Sequence, residues 1–446
     1  MQKDMTQGRP MTVLLRYTLP LLVGTLMQQM YSVVDAMIIG RFVGSDALAA
    51  VGSSATVVTL VNSIILGLCM GISIVTSQHF GARDTVRLKE TVATSAVFLL
   101  CFAALLTALT HIFLGPLLVA YRMPEDIRPD ATNYLRIIFS GLICTCCYNA
   151  TAFLLRSVGD SRTPLLFLML SMLLNIVLDL VLVLGLGMRV RGVAMATVFS
   201  QALSATCVMI YAGKKLDFLR GMVWKPVLRK DILLPIARYS IFTSLQQSIM
   251  NLGGLLVQGL VNSYGISVMA AFASGNKIDS FIHMPVGEFA SALTTYIAQN
   301  RGAGRRDRIW SGLRVAMISV VAYCALYSTI VFFFKQPMLT MFVDPSETEI
   351  LSIGTRYLSM VPPFYFCIGI LSLFYGYYRG VGRPQISLVL TFFSMGTRVA
   401  MSYSLSAMFG DVGMIWWAIP LGWGLADLVG FTFLWLSRKS VTADLP

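Results

Sequence analysis

The sequence predicts an all-α polytopic membrane protein, with twelve transmembrane helices in two six-helix bundles related by a pseudo-twofold axis along the membrane normal. Three observations carry this. Of 446 residues, 56% are hydrophobic and 12% charged, against roughly 25% charged in soluble domains. A mean hydropathy of +0.74 leaves more apolar surface than one core can bury, so most of it faces lipid. The apolar residues fall in stretches of about 20 residues or more, and unbroken runs such as Leu165 to Leu186 lack the short alternation of barrel strands. Finally, the chain repeats itself at an offset of about 221 residues.

The twelve stretches are 12–40, 46–79, 91–115, 131–156, 163–187, 192–213, 232–262, 266–300, 310–335, 348–379, 384–409 and 413–437. The first follows a short basic tail, is too long for the apolar part of a cleavable leader and has no cleavage site, so it reads as a retained helix. Lys and Arg concentrate in the N-terminal tail, in every second loop and at the C-terminus. The positive-inside rule then expects both termini in the cytoplasm of a plasma-membrane protein. The net charge of +13 is the charge of those loops near anionic headgroups, not a nucleic-acid surface. The most basic segment, 213–231, holds Lys214, Lys215, Arg220, Lys225, Arg229 and Lys230. It reads as a cytoplasmic linker between an N-lobe, 1–212, and a C-lobe, 232–446.

The repeat is visible in four places. Arg16-Tyr17-Thr18 returns as Arg238-Tyr239-Ser240, and Val43-Gly44-Ser45-Asp46 as Tyr264-Gly265-Ile266-Ser267. Gln78-His79-Phe80-Gly81-Ala82 returns as Gln299-Asn300-Arg301-Gly302-Ala303, and Arg156-Ser157-Val158-Gly159 as Arg379-Gly380-Val381-Gly382. Six helices per half is an even number, so both halves enter from the same face, which requires an axis along the membrane normal. Two like bundles around a cleft can rock between inward-open and outward-open states, which makes transport the leading function class. The eight cysteines sit in apolar segments and read as small core residues. No H-E-x-x-H, G-x-S-x-G or P-loop is present, so no enzyme, metal or cofactor is expected, and energy must come from an ion gradient.

Ionisable residues kept inside spans are functional candidates because each costs roughly 2.5–3.5 kcal/mol at a helix centre. In the first half these are Asp35 in the first span and Asp179 in the fifth, where Asn175 stands one turn earlier on the same face. Two carboxylates with no base at comparable depth need a proton or a small hard cation; the alternative is that each only ties helices together through hydroxyls. In the second half the eighth span carries Lys277, Asp279, His283 and Glu288, whose mixed signs suggest internal ion pairs or substrate contacts. Arg398 in the eleventh span holds roughly the place of Asn175, with Asp427 in the twelfth to neutralise it. The seventh span offers Gln246 and Gln247. Pro20 removes a backbone hydrogen bond in the first span, so a bend is expected, either hinge or fixed kink.

The run Asp35-Ala36-Met37-Ile38-Ile39-Gly40-Arg41-Phe42-Val43-Gly44, the Gln-x-x-Gly-Ala signals ending the second and eighth spans and the duplicated plan resemble the multidrug and toxic compound extrusion (MATE) transporters over essentially the whole chain. The resemblance implies alternating-access export of lipophilic, often cationic, amphipathic compounds in exchange for protons or sodium ions, by a membrane protein expected to act as a monomer. The branch most similar is the DNA-damage-inducible F group. Its N-lobe cation site maps onto Asp35, Tyr134, Asn175, Asp179 and Thr197, and its helix-bending proline onto Pro20. Other branches place coupling carboxylates in the seventh and tenth spans; here the seventh offers Gln246 and Gln247 instead, and the tenth has no acid beyond its first turns. A flippase for lipid-linked saccharides from the same superfamily is the alternative, kept open by Lys277 and Arg398.

Overall fold

The computed structural model describes residues 4–120, 123–220 and 229–440, and among them the regular structure is helical. The first half comprises α1 (Pro10–Ile38), α2 (Ser45–Gly81), α3 (Thr85–Ala120), α4 (Arg128–Ser140), α5 (Leu142–Ser157), α6 (Arg162–Asp179) and α7 (Arg189–Lys215). The second comprises α8 (Lys230–Asn262), α9 (Ile266–Gly302), α10 (Arg306–Leu339), α11 (Thr348–Met360), α12 (Tyr365–Gly380), α13 (Pro384–Thr391), α14 (Thr397–Phe409) and α15 (Gly413–Ser440). All twelve apolar stretches lie in these helices. Among the described residues nine spans are long and apolar enough to cross a bilayer, and α4 with α5, bent by 48°, makes a tenth. Helices α8 and α9 have the length, 33 and 37 residues, or about 50 Å at 1.5 Å per residue, and carry more polar groups. Of the expected linker, residues 221–228 lie outside the described residues.

The repeat is written into the backbone. Helices α2, α5, α9 and α12 all end by wrapping an amide back to the carbonyl five residues earlier: Asp84 N–H to His79 O (3.2 Å), Asp160 to Leu155 (2.9 Å), Arg305 to Asn300 (2.8 Å) and Arg383 to Tyr378 (2.8 Å). This closure needs one residue in the left-handed region. Gly159, Gly304 and Gly382 supply it with φ of 84°, 67° and 87°, and Arg83 does so with φ of 58°.

Compact packing divides the chain into two units. The first contains Leu19–Ser244; the second contains Met5–Thr18 and the chain from Leu245 onward. The leading segments of the two halves are thus exchanged, and the repeat motifs do the holding. In the second unit Gln299 Oε1 accepts the Met5 amide (2.9 Å), Asn300 Nδ2 donates to Met5 O (3.3 Å), and Arg308 donates to Met5 O and Gly8 O. In the first unit Gln78 Nε2 donates to Tyr239 Oη (3.2 Å). There Gly67 and Gly71, four apart, let α8 approach α2 so closely that a Cβ at either would lie 2.6 Å from the backbone nitrogen of Ser244 or Ser240. Ser240 and Ser244 donate to Leu68 O and Ile64 O, both at 3.1 Å. Small residues with crossing hydroxyl bonds are how helices associate where the hydrophobic effect is absent.

Gly304 has open space where a Cβ would go, so Gly304→Ala isolates the left-handed backbone cost and should destabilise by about 1–2 kcal/mol. Arg83→Gly should act in the opposite direction, since its ion pair with Asp4 is long (3.4 Å) and exposed and contributes little. Thermal unfolding in detergent checks both signs; stabilisation by Gly304→Ala would refute the cap assignment.

Candidate ion-coupling site in the first unit

Asp35 lies one turn before the end of α1, and α1 runs on as a π-helical turn at Ile39–Val43; Asp179 ends α6, and a second π turn follows at Leu180–Gly185. Single π turns insert an extra residue per turn and re-aim the side chains beside them. Ile39 and Val183 from these turns pack with Ala47, Val190 and Val193, and the Tyr134 ring packs against the same cluster. The acids therefore sit at the edge of a dry apolar patch.

The five residues mapped by resemblance come together. The carboxyl groups of Asp35 and Asp179 are within hydrogen-bonding reach of each other, and the Tyr134 phenol lies in the field of both. Asn175 and Asp179 are buried. With its amide assigned from the surrounding network, Asn175 Nδ2 donates to Tyr31 Oη (2.9 Å) and Asp179 Oδ2 (3.0 Å), and its oxygen accepts from the Thr197 backbone N–H (3.0 Å). One buried oxygen of each acid, Asp35 Oδ1 and Asp179 Oδ1, has no hydrogen-bond partner. The groups acting on the pair are tyrosines and each other, with no Lys, Arg or His among them. Two carboxyls this close in apolar surroundings cannot both be ionised unless a cation joins them, so chemically the arrangement can hold a shared proton or bind a small cation.

Tyr31 was not singled out by the sequence, because one tyrosine in an apolar helix resembles any other; its only signal is its place one turn before Asp35, on the same face. It also lines, with Asn175, Thr197, Gln28, Asn62 and Met172, a cavity of about 210 Å³ whose walls carry no charged side chain. Pro20 is buried within α1, one residue after Leu19, where α1 passes from the second unit to the first.

The second-half candidates are arranged differently from expectation. Asp279 does not pair with His283 one turn on. Its two oxygens accept from Tyr365 Oη (2.5 Å) and from Tyr357 Oη. His283 packs edge-on against Trp423, 6.0 Å between ring centres, and Lys277 is exposed. Arg398 and Asp427 do not neutralise each other: Arg398 Nε and Asp427 Oδ1 are both buried without a partner, and Arg398 acts instead on Asp279 and Tyr357. Glu288 and Gln247 are half-buried and Gln246 is buried. Among the described residues no group of acids, cysteines and histidines suits a metal.

Removing the Tyr31 hydroxyl would leave the Asn175 amide with an unsatisfied buried donor, a loss of about 1–3 kcal/mol. If the cluster couples transport, Tyr31→Phe should slow gradient-driven export several-fold while the protein still reaches the membrane; unchanged initial rates in everted vesicles would place Tyr31 outside the site.

Comparison with known proteins gives a consistent result. A sequence profile of the MatE family matches residues 20–181 and 243–404, once in each half. The chain is 28% identical to the probable multidrug resistance protein YoeA of Bacillus subtilis over 96% of its own length and 94% of the relative's. It is 27% identical to a FAD transporter of Shewanella oneidensis, covering 85% and 84%. The outward-facing structure of a multidrug resistance MATE family transporter of the MOP superfamily superposes with a TM-score of 0.89 at 23% identity, over 99% of this chain and 98% of that one.

Proposed function

The chain belongs to the MatE family of multi-pass membrane transporters that move small organic compounds, and on that premise we propose that it is a proton-coupled antiporter that exports lipophilic organic cations through the acidic cluster of its N-lobe. The observation that carries this reading is the approach of Asp35 to Asp179 with no basic side chain among the groups acting on them. A proton held between the two carboxyls neutralises the excess charge. A substrate cation drawn toward the same charge competes with that proton, which is the condition for exchange. The neutral cavity wall leaves the acids as the source of charge selectivity, while its aromatic and thioether surface favours apolar substrate parts.

The proton is favoured over sodium because sodium needs several oxygen ligands to replace its hydration shell, whereas a proton shared between two neighbouring carboxyls needs no coordination shell. At about 210 Å³ the cavity is below the roughly 300–1,000 Å³ of drug-sized pockets, so loading a whole substrate requires another conformation. Pro20 leaves the Arg16 carbonyl without its helical donor and is placed to let the rest of α1, with Asp35, bend as the proton binds and leaves. On the positive-inside rule the basic loops favour cytoplasmic termini, and export on this reading is driven by proton entry from outside to inside.

Asp35→Asn keeps the shape and removes the titration. It should abolish gradient-driven efflux of ethidium-like cations from cells without lowering expression; wild-type efflux would end the coupling proposal. In proteoliposomes, a protonophore should stop transport in sodium buffer as well as in potassium buffer. Transport that survives the protonophore and stops on sodium removal would reassign the same residues to sodium. Export of anionic dyes or flavin nucleotides in place of cations would overturn the substrate class.

A further inference from the structure

The second half buries an acid that nothing around it compensates. Asp427 stands at the centre of α15, 14 residues from Gly413 and 13 from Ser440, which puts about 20 Å of helix on either side of it. The residue is 6% exposed. Its Oδ1 is buried and accepts no hydrogen bond, and among the described residues no basic side chain acts on it. Packing is tight on both sides. Five residues earlier, Gly422 brings α15 so close to a third π turn, Phe392–Gly396, that a Cβ there would lie 2.5 Å from Ser394 O. Three residues later, a Cβ at Gly430 would lie 2.6 Å from the Phe374 ring of α12, and Gly430 O accepts from Tyr378 Oη at 2.8 Å. Asp427 is therefore held in a seam of α15 that is closed above it and below it.

The elements packed on α15 supply no counter-charge. On α12 the titratable and charged groups are Cys367 and Tyr375, which lie in the field of Asp427, Tyr378, whose hydroxyl donates to Gly430 O, and Arg379, whose Nε donates to Tyr375 O at 3.0 Å. On α14, Arg398 lies beside Gly422, with its Cβ 3.4 Å from where a Cβ would stand there, more than one turn before Asp427. On α11, Tyr357 meets Trp416, about three turns before it. Helix α13 and the π turn contain no titratable residue, and the next charged residue on α15 is Arg438. An ionised carboxylate kept from water, with an oxygen unpaired and no opposite charge, is strongly disfavoured, and the carboxyl escapes by taking a proton. A metal ion requires several ligands, and among the described residues no group of acids, cysteines and histidines forms around it.

We propose that Asp427 is a second proton-binding site, occupied while the seam of α15 is closed and emptied when the seam admits water. It is separate from Asp35 and Asp179 and does not depend on the coupling role given to them.

The test uses the full-length protein in detergent with Asp35→Asn and Asp179→Asn, so that the first-half pair cannot titrate. As pH is lowered from about 9 to about 6, this parent should take up one proton per molecule more than the same protein carrying Asp427→Asn; a solvated aspartate, which titrates at about 3.9, takes up none in that window. Equal uptake overturns the proposal, whether Asp427 is ionised or neutral throughout. The effect on stability has a fixed sign. The folded parent holds a proton that its unfolded chain releases, so its thermal midpoint should fall relative to that of the Asp427→Asn variant as pH rises through the same window. Midpoints that run parallel overturn it too. Should Asp427→Asn fail to fold, Asp427→Leu gives the same comparison, since it keeps a similar volume and removes the titration. Failure of the N-lobe reading shows separately, as wild-type efflux by Asp35→Asn.

Discussion

Two carboxyl groups set within hydrogen-bonding reach of one another, in a wall of Ile39, Val183, Val190 and Val193, impose a constraint that the rest of the first unit accommodates. Ionised together they would repel at low dielectric and lack the water that would otherwise solvate them. The neighbouring groups relieve only part of this. Asn175 donates to one Asp179 oxygen, and one oxygen on each acid stays without a partner. A π turn follows each acid, at Ile39–Val43 and at Leu180–Gly185, and re-aims the side chains that come after it. A protein gains nothing in stability from such a cluster, and its cost is intelligible only if the occupancy of the site changes during work.

The two halves meet the problem of a buried acid in different ways. In the first, charge is left uncompensated by the protein. In the second, Asp279 accepts from Tyr357 and Tyr365; Tyr357 packs edge-on against Phe272 and Trp416, Tyr365 stacks on Tyr327, and Arg398 contributes a charge of the opposite sign to the field. Gene duplication provides the same helical positions twice, and substitution at one of them, Asn175 against Arg398, is enough to change the electrical character of a lobe. Arg379 is buried, where the first half has the half-buried Arg156 at the repeated position.

Spans, repeat and acids were legible in the sequence because each follows from composition along a single helix: twenty apolar residues in a row, a recurring Gln-x-x-Gly-Ala, an Asp where lipid-facing residues are the rule. The i and i+4 placement of Asn175 and Asp179 also survives into three dimensions, since it depends on helical pitch alone. What could not be read depends on other helices. The partners of Asp279 lie 78 and 86 residues away, and nothing in the eighth span distinguishes phenols across the bundle from His283 one turn along. Arg398 and Asp427 are carried by consecutive helices, yet Arg398 Nε and Asp427 Oδ1 are both buried without a partner. The π turns have no compositional signature either; they arise where packing on both sides over-determines the helix. Tyr31 belongs to the same class, ordinary in its own span and informative only beside Asn175.

The exchanged leading segments bear on how the chain can be made. Met5 is held by Arg308, 303 residues later. At synthesis rates of about 5–20 residues per second, the start of the protein waits roughly 15–60 seconds for the helix that receives it. Its backbone donors and acceptors must be met meanwhile by water, headgroups or the insertion machinery. A ribosome that stalls in the second half therefore leaves a product whose first residues have no seat, and a half-length product carries that defect from the outset. Completion of the chain is in this sense reported at its beginning, where Gln299 closes on the Met5 amide.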